Sequence, residues 1–147
     1  GITVELWLSL RDAASGQTLF TTMDDGGRGV RVVTSELGGR PTLSIELGDG
    51  ARATVWHTDP GVVEAGKMHH VVFVCDFSAA VIAVVADGQF CDGGAARQYG
   101  WGRLPLELGD VRGAPHAALA PAVKGLRLYS RALRTTEAIG NFRAGGI

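Results

Sequence analysis

The sequence of 147 residues has few of the features that mark several large protein classes. No run of about 18 apolar residues occurs, so we expect no transmembrane helix. Fourteen Lys and Arg residues oppose fifteen Asp and Glu residues, which gives a formal net charge of −1. Nucleic acids and anionic membranes attract strongly basic surfaces, and this chain is not basic. The sequence therefore predicts neither nucleic-acid binding nor membrane insertion.

Cysteine is also scarce, because the two residues Cys75 and Cys91 are too few for a disulfide framework. If residues 70–77 and 80–87 form a hairpin, Cys75 faces a residue near position 82. Cys91 then lies beyond the far end of that hairpin. A disulfide requires Cα atoms within about 7 Å of each other. We therefore expect two free thiols, which leaves the redox compartment undefined.

Catalytic motifs are missing as well. A retaining glycosidase needs two carboxyl groups about 5.5 Å apart, which one strand provides only from acids two or four positions apart. Neither Glu5 nor Glu46 is followed by such an acid. Adjacent strand residues such as His69 and His70 point to opposite faces, so they cannot bind one metal ion together. We expect one of these imidazoles to be a hydrogen-bonding group in the core or between strands.

Glycine, in contrast, is abundant at 22 residues and lies between short apolar runs, which indicates many tight turns. Residues 3–10 alternate between apolar and polar or aromatic side chains, as in a half-buried strand. Residues 68–76 and 81–87 are apolar on both faces, which predicts central strands. Further strands are predicted at 18–23, 30–37, 42–47, 53–58, 104–111 and 123–129. The C-terminal pattern predicts a short helix that Thr135 caps and Gly145 ends.

About nine or ten strands and one helix predict a single domain over residues 1–147. Its predicted fold class is all-β, a two-sheet antiparallel jelly-roll sandwich with a short C-terminal helix. The chain begins inside a predicted strand, without a start Met or a signal peptide. We therefore expect it to be a fragment of a larger multidomain protein.

Three local signatures resemble the laminin-G-like, concanavalin-A-like jelly-roll superfamily. The first is Thr-Val-Glu-Leu-Trp-Leu at 3–8, which is similar to the opening strand of that superfamily. The second joins Gly-Lys-Met-His-His-Val-Val at 66–72 to Val-Ala-Asp-Gly at 85–88, with Met and Asp-Phe where the superfamily usually has Trp and Asp-Gly. The third, Gly-Leu-Arg-Leu-Tyr-Ser-Arg-Ala-Leu at 125–133, is similar to the closing strand before the final helix.

This resemblance implies two antiparallel sheets in which the first and last strands are adjacent. It implies a secreted or cell-surface location, as a module of a multidomain bacterial protein. It also implies recognition of glycans or proteins, and in some relatives a bound calcium ion. It does not identify the function, because the superfamily includes lectins, pentraxins, glucanases and domains without a known ligand.

The segment 88–102 is the best candidate for a ligand site, because it is the longest irregular stretch and places aromatic residues between glycines. Proteins bind the apolar faces of sugars with aromatic rings that polar side chains flank. The candidate ligand-binding residues are Tyr99, Trp101, Asp92, Arg97, Gln98, Trp56 and Trp7. The alternative is that these rings pack the loops against the sandwich. Arg127 and Tyr129 share one strand face and can pair with an acid on a neighbouring strand.

A structural calcium ion is the one cofactor that we expect, mainly from the resemblance. Calcium takes about six to eight oxygen ligands, and aspartates lie at many predicted turns and strand ends. The candidate ligands are Asp24, Asp76 and Asp110. No contiguous calcium-binding loop occurs, so the site would need distant segments. The alternative is that each aspartate stabilises its own turn through side-chain hydrogen bonds.

The sequence therefore favours a non-catalytic, lectin-like carbohydrate-binding module. Its expected partner is a glycan or polysaccharide, and we expect the domain to be monomeric. A protein-interaction or spacer module without a glycan ligand is the alternative. A glycoside hydrolase is the least favoured, because the paired carboxylates that it needs are missing.

Overall fold

The computed structural model describes residues 1–93 and 100–146, which form two antiparallel β-sheets and one α-helix. The strands in these residues are β1 Ile2–Ser9, β2 Thr18–Thr21, β3 Arg28–Leu37, β4 Arg40–Asp49, β5 Ala53–His57, β6 Met68–Asp76, β7 Val81–Ala86, β8 Gln89–Phe90, β9 Trp101–Arg103, β10 Ala118–Leu119 and β11 Val123–Tyr129. A 3-10 helix, Leu108–Val111, and the helix α1, Thr135–Ala144, complete these elements. The predicted fold class, a jelly-roll sandwich with a C-terminal helix, is confirmed. No helix in the described ranges is long and apolar enough to cross a membrane.

The larger sheet has the strand order β11-β1-β6-β7-β8, and β9 also pairs with β7. We call it the six-stranded sheet, and we call the sheet with the order β10-β2-β3-β4-β5 the five-stranded sheet. The first and last strands are adjacent, as the resemblance implied, with Leu6 opposite Leu126. The β6–β7 hairpin places Cys75 opposite Ile82, as predicted.

The core lies between the sheets and follows from the alternation of β1. Val4, Leu6 and Leu8 point inward and are at most 2% exposed, whereas the residues between them point outward. Cys75 and Cys91 are both buried and do not form a disulfide bond, as predicted. Burial raises the pKa of the Cys75 thiol to about 12, so this thiol stays protonated and unreactive at neutral pH.

The strands β6 and β7 are apolar on both faces, and helix α1 buries the apolar side chains on the outer face of the six-stranded sheet. Val72, Val74 and Val85 point outward from these strands and form a second buried cluster with Leu133 and Ala138. The sheet is therefore covered by the five-stranded sheet on one face and by α1 on the other. This confirms the prediction that 68–76 and 81–87 are central strands.

The predicted strand at 104–111 is wrong. Leu104 and Leu106 are buried in the core, but Leu108–Val111 is a 3-10 helix. Pro105 has no N–H and cannot donate to a ladder, so the alternation of leucines here serves core packing without strand pairing. The paired segment is β9, which precedes it directly.

The start of α1 also differs from the prediction. Arg134, not Thr135, is the N-cap residue, and the Glu137 carboxylate accepts the Arg134 backbone N–H at 2.7 Å. The same carboxylate binds the Arg131 guanidinium through two hydrogen bonds of 2.8 and 2.9 Å. The helix ends at Gly145, which has a φ of 71°, as predicted. An acid in the first turn therefore stabilises the helix start by its hydrogen bonds and its charge.

We expect Glu137 to titrate with a pKa of about 2, because Arg131 and the Arg134 N–H stabilise its carboxylate. The ordinary pKa is 4.5, so this stabilisation is complete above pH 4.5 and is lost as the pH falls through the folded value. An NMR titration of the Glu137 carboxyl carbon measures the midpoint directly. Arg131→Gln should move the midpoint towards 4.5, and a midpoint near 4.5 in the unmodified chain would contradict the prediction.

Candidate functional site

Two exposed aromatic rings lie side by side at the far edge of the six-stranded sheet. Strands β8 and β9 both pair with β7, with Phe90 opposite Val85 and Trp101 opposite Ala83. Ala83 and Val85 point to the outer face, so both rings lie on that face as well. Their partners are two residues apart, which separates the two rings by about 7 Å along the strand direction.

Both rings are open to solvent, and the packing around them is close. Trp101 is 50% exposed and Phe90 is 37% exposed. The Phe90 ring packs against Gly100 so closely that a Cβ on Gly100 would overlap the ring. Gly100 thus lets the backbone pass directly beside Phe90, which explains a glycine between the aromatic residues of this segment.

A cationic side chain extends this surface. Arg103 follows Trp101 by two residues on β9, lies on the same face and is exposed. No hydrogen bond or ion pair engages its guanidinium within the described ranges. Thr54 donates a hydrogen bond of 2.8 Å to the Arg103 backbone carbonyl, so β9 is tied to β5 of the other sheet. We call Phe90, Trp101 and Arg103 the edge patch.

Trp56 lies beneath the edge patch and is not part of it. It is opposite Ile45 on the inner face of the five-stranded sheet and packs against the core. A Cβ on Gly102 would overlap the Trp56 ring, so this ring supports β9 from below. The prediction of Trp56 as a second platform is corrected, because its ring faces inward.

Trp7 is likewise unavailable to a ligand, because it is 6% exposed. The Arg127 guanidinium lies 4.7 Å from its ring centre, and the His70 ring centre is 4.6 Å away. Cation–π attraction and ring packing therefore occupy this face of β1. The candidate role of Trp7 as a sugar platform is corrected, since the ring is covered.

The other candidate ligand residues lie between β8 and β9 in the sequence. Asp92 is exposed. The Asp59 carboxylate accepts the backbone N–H of the neighbouring Gly93 at 2.7 Å. The candidates Arg97, Gln98 and Tyr99 lie outside the described residues.

The candidate calcium ligands are not brought together. The Asp24 carboxylate accepts the Arg28 N–H at 2.9 Å within its own turn. The Asp76 carboxylate accepts two backbone N–H groups of the β6–β7 turn, and Asp110 lies in the 3-10 helix. Across residues 1–93 and 100–146, no group of three or more His, Cys, Asp or Glu side chains could hold a metal ion. The turn-forming role accounts for Asp24 and Asp76, and calcium binding stays a prediction.

A polar cleft of about 400 Å³ lies on the outer face of the five-stranded sheet. Its two arginines are paired, because Arg31 binds Glu46 across β3 and β4 and Arg52 binds Asp49 at 3.0 Å. None of the described residues that line it is aromatic. This cleft has no stacking platform, so the edge patch is the better candidate for a sugar site.

Glu5, the acid that the sequence singles out on β1, is fully buried beneath α1. Its carboxylate accepts hydrogen bonds from His70 Nε2 at 2.8 Å, Tyr129 Oη at 2.6 Å and Asn141 Nδ2 at 3.2 Å. Burial, followed by the nearby Glu5 carboxylate, raises the pKa of Tyr129, so the phenol remains a donor. Pairing of Tyr129 with an acid was predicted and is confirmed. The burial of Glu5 was not predicted. The alternation in β1 shows only that Glu5 points away from the core, and it does not show that another element covers this face.

His69, the other histidine of the pair, uses both of its ring nitrogens in hydrogen bonds. His69 Nε2 accepts the Glu64 backbone N–H at 2.9 Å, which places the ring proton on Nδ1, and Nδ1 donates to Asp87 at 2.7 Å. The other Asp87 oxygen accepts the His70 backbone N–H at 2.8 Å. Both histidines therefore hydrogen-bond within the fold, one on each face of β6, and the prediction of a structural imidazole is confirmed.

Known proteins share this fold. The model of the concanavalin A-like lectin/glucanases superfamily matches residues 1–138. A search of curated proteins finds no match. The CBM40 domain of the Ruminococcus gnavus IT-sialidase, solved with α2,3-sialyllactose, has a TM-score of 0.66 at 13% identity over 95% of this chain and 80% of that domain.

Two further structures share the architecture. A SAP-like pentraxin from Limulus polyphemus has a TM-score of 0.60 at 14% identity, over 94% of this chain and 67% of the pentraxin. A leech intramolecular trans-sialidase has a TM-score of 0.62 at 16% identity, over 99% of this chain and 24% of the enzyme. At these identities the likeness establishes the fold and no more.

Proposed function

Because the chain belongs to the concanavalin A-like lectin/glucanases superfamily, we propose that it is a non-catalytic carbohydrate-binding module whose glycan site is the edge patch. The observation that carries the proposal is the half-exposed Trp101 ring beside Phe90. Monomeric proteins normally bury such rings, and adjacent exposed aromatics mark recognition surfaces.

The chemistry of the patch suits a sugar ring. The C–H face of a pyranose stacks on the Trp101 indole, and Phe90 extends the apolar contact to a second residue of the glycan. Arg103 then donates hydrogen bonds at one end of the stacked ring. Because β9 is tied to both sheets, the platform is positioned before the ligand arrives, which lowers the entropic cost of binding.

The charge of Arg103 favours an acidic sugar over a neutral one. A guanidinium forms paired hydrogen bonds with a carboxylate, and no acidic side chain competes for it within the described ranges. The Ruminococcus gnavus CBM40 domain was solved with α2,3-sialyllactose, whose terminal sugar carries a carboxylate group. We propose sialylated or other carboxylated glycans as the preferred class.

A binding role also fits the position of the one acid that the sequence offers for catalysis. Glu5 has no solvent access and already accepts hydrogen bonds from three side chains. General acid catalysis requires a carboxyl group within hydrogen-bond reach of the substrate. We further propose that the module is monomeric, that it acts outside the cell in a larger protein, and that calcium stabilises it.

Trp101→Ala is expected to weaken glycan binding by at least about tenfold without lowering the melting temperature, because the ring is half-exposed. Binding is measured for α2,3-sialyllactose and for lactose, each with calcium and with a chelator. Arg103→Gln should reduce the preference for sialyllactose over lactose. The matched control is Leu119→Ala, because Leu119 is 51% exposed on β10, at the opposite edge of the fold.

Equal binding by the Trp101→Ala variant and the unmodified domain would remove the edge patch as the site. Absence of binding to any member of a broad glycan array would reject carbohydrate binding and leave the interaction or spacer role. Identical melting curves with calcium and with chelator would reject structural calcium.

A further inference from the structure

A cavity of about 380 Å³ opens between the two sheets, on the side opposite β9. Its walls come from the start of β1, the end of β11, the β2–β3 region and the segment 111–114. On the β9 side the sheets are tied together by the Thr54 hydrogen bond, whereas here the edge strands β11 and β10 belong to different sheets. The cavity is therefore a gap in the side of the sandwich that leads to its apolar interior.

The interior of the cavity is apolar. Val4, Phe20 and Val30 line it and are at most 5% exposed. Leu128 also lines it and is directly opposite Val4 on the inner face, but it is 54% exposed. Leu128 thus marks the mouth, where an inward-facing leucine remains in contact with solvent.

The polar side chains in the walls already have partners. Thr22 Oγ1 accepts the Val30 N–H at 3.0 Å, and Thr3 Oγ1 donates to a backbone carbonyl ahead of α1 at 2.8 Å. The Tyr129 hydroxyl donates to Glu5 at 2.6 Å. A molecule inside the cavity would therefore find no unsatisfied side-chain group of these residues, and its buried part must be apolar.

The lining also contains a charged side chain that makes no hydrogen bond or ion pair with the described residues. Arg112 is the exposed residue of the segment 111–114 that lines the cavity, and its guanidinium has no hydrogen bond or ion pair with any described residue. No Asp or Glu is among the described residues that line the cavity. An anion at the mouth would meet a cation without competition from an acidic side chain.

The wall that carries Arg112 is preformed. The Ala114 N–H donates to the Thr22 carbonyl at 2.7 Å, so the segment extends the edge of β2. A Cβ on Gly113 would overlap the backbone of Thr22 and Arg28, which shows how closely the segment packs there. The position of Arg112 is thus determined by backbone contacts.

We propose that this cavity binds a small amphiphile that has an apolar chain and an anionic head group, with the head group paired to Arg112. The volume lies at the lower end of the range of about 300–1,000 Å³ for small-molecule sites. At about 30 Å³ per water-sized group, it accommodates roughly a dozen heavy atoms. A medium-chain carboxylate matches this size, this apolar body and this charge. The site is separate from the edge patch and does not depend on glycan binding.

Isothermal titration with decanoate, decanol and decylamine below their micelle concentrations tests the site. One decanoate should bind per chain, with decanol weaker and decylamine weakest. Leu128→Trp places a large ring at the mouth of the cavity and should abolish decanoate binding; because Leu128 is exposed, the fold should tolerate it. Arg112→Gln should weaken decanoate about three- to tenfold and leave decanol unchanged. Arg143→Gln, an exposed control with the same charge change, should have no effect.

Three results would overturn the proposal. One is the absence of saturable decanoate binding, and another is decanoate binding that Leu128→Trp does not change. The third is equal affinity for decanoate and decylamine, which would reject the anionic head group. Circular dichroism of each variant before titration ensures that the comparison is made on folded protein.

Discussion

Glu5→Ala is expected to lower the free energy of unfolding by about 3–5 kcal/mol, because each buried hydrogen-bond donor that loses its acceptor costs about 1–3 kcal/mol. Glu5 is fully buried, and its loss would leave the Nε2–H of His70 and the hydroxyl of Tyr129 without their acceptor, whereas the Asn141 amide would keep only its hydrogen bond to the Tyr129 hydroxyl. Because Asn141 belongs to α1, the helix would also lose one of its polar contacts with the sheet. Chemical denaturation measures the loss, and amide hydrogen exchange in α1 should accelerate most.

Two variants calibrate this result. Glu36→Ala removes an exposed carboxylate from β3 and should change stability by less than about 0.5 kcal/mol. Tyr129→Phe removes one donor and leaves the carboxylate two others, so we expect a loss of about 1–2 kcal/mol. If Glu5→Ala does not fold, Tyr129→Phe still measures how much the Glu5 hydrogen bonds contribute to stability. A Glu5→Ala variant as stable as Glu36→Ala would show that the buried network contributes nothing.

Asp87→Ala is expected to lower the free energy of unfolding by about 2–4 kcal/mol through two separate causes. The carboxylate accepts hydrogen bonds from the His69 ring and from the His70 backbone, and both would be lost. The residue also has a φ of 49°, a left-handed conformation that Asp tolerates better than Ala. Once His69 is no longer held, the backbone at Glu64 should exchange its amide hydrogen faster.

Asp87→Asn separates the two causes. Asn tolerates the positive φ and retains an oxygen for the His70 N–H, but its amide nitrogen cannot accept from His69 Nδ1. We expect about half the loss seen for Asp87→Ala. The control is Asp25→Ala, which removes an exposed turn carboxylate. If Asp87→Asn is as stable as the unmodified chain, the pair between His69 and Asp87 has no role in stability.

Much of the strand pattern could be predicted because it depends on neighbouring residues. Alternation in β1 and the doubly apolar β6 and β7 follow from a period of two, whatever the rest of the chain does. The hairpin register that places Cys75 opposite Ile82 follows from the position of its turn. Segment 104–111 shows the limit, because the same alternation of leucines packs the core there without a paired strand.

Contacts between distant segments could not be predicted. The sequence offers three tryptophans as platforms. Arg127 and His70 cover the ring of Trp7, β9 covers that of Trp56, and Trp101 is half-exposed. Exposure of a side chain depends on what packs against it from elsewhere in the chain. The pairing of Arg127 and Tyr129 with an acid was predicted from their shared face, but the identity of that acid required the register of β11 on β1.

The sequence by itself determined the fold class, the central strands, the family and the structural use of one of the adjacent histidines at 69 and 70, because these depend on local periodicity and short motifs. The tertiary structure alone decided that Glu5 is buried and that Trp101, Phe90 and Arg103 form one surface. It also decided that the aspartates proposed for calcium are separated and that an apolar cavity opens beside Arg112. These features depend on which strands meet across the two sheets, and residues more than a hundred positions apart make those contacts.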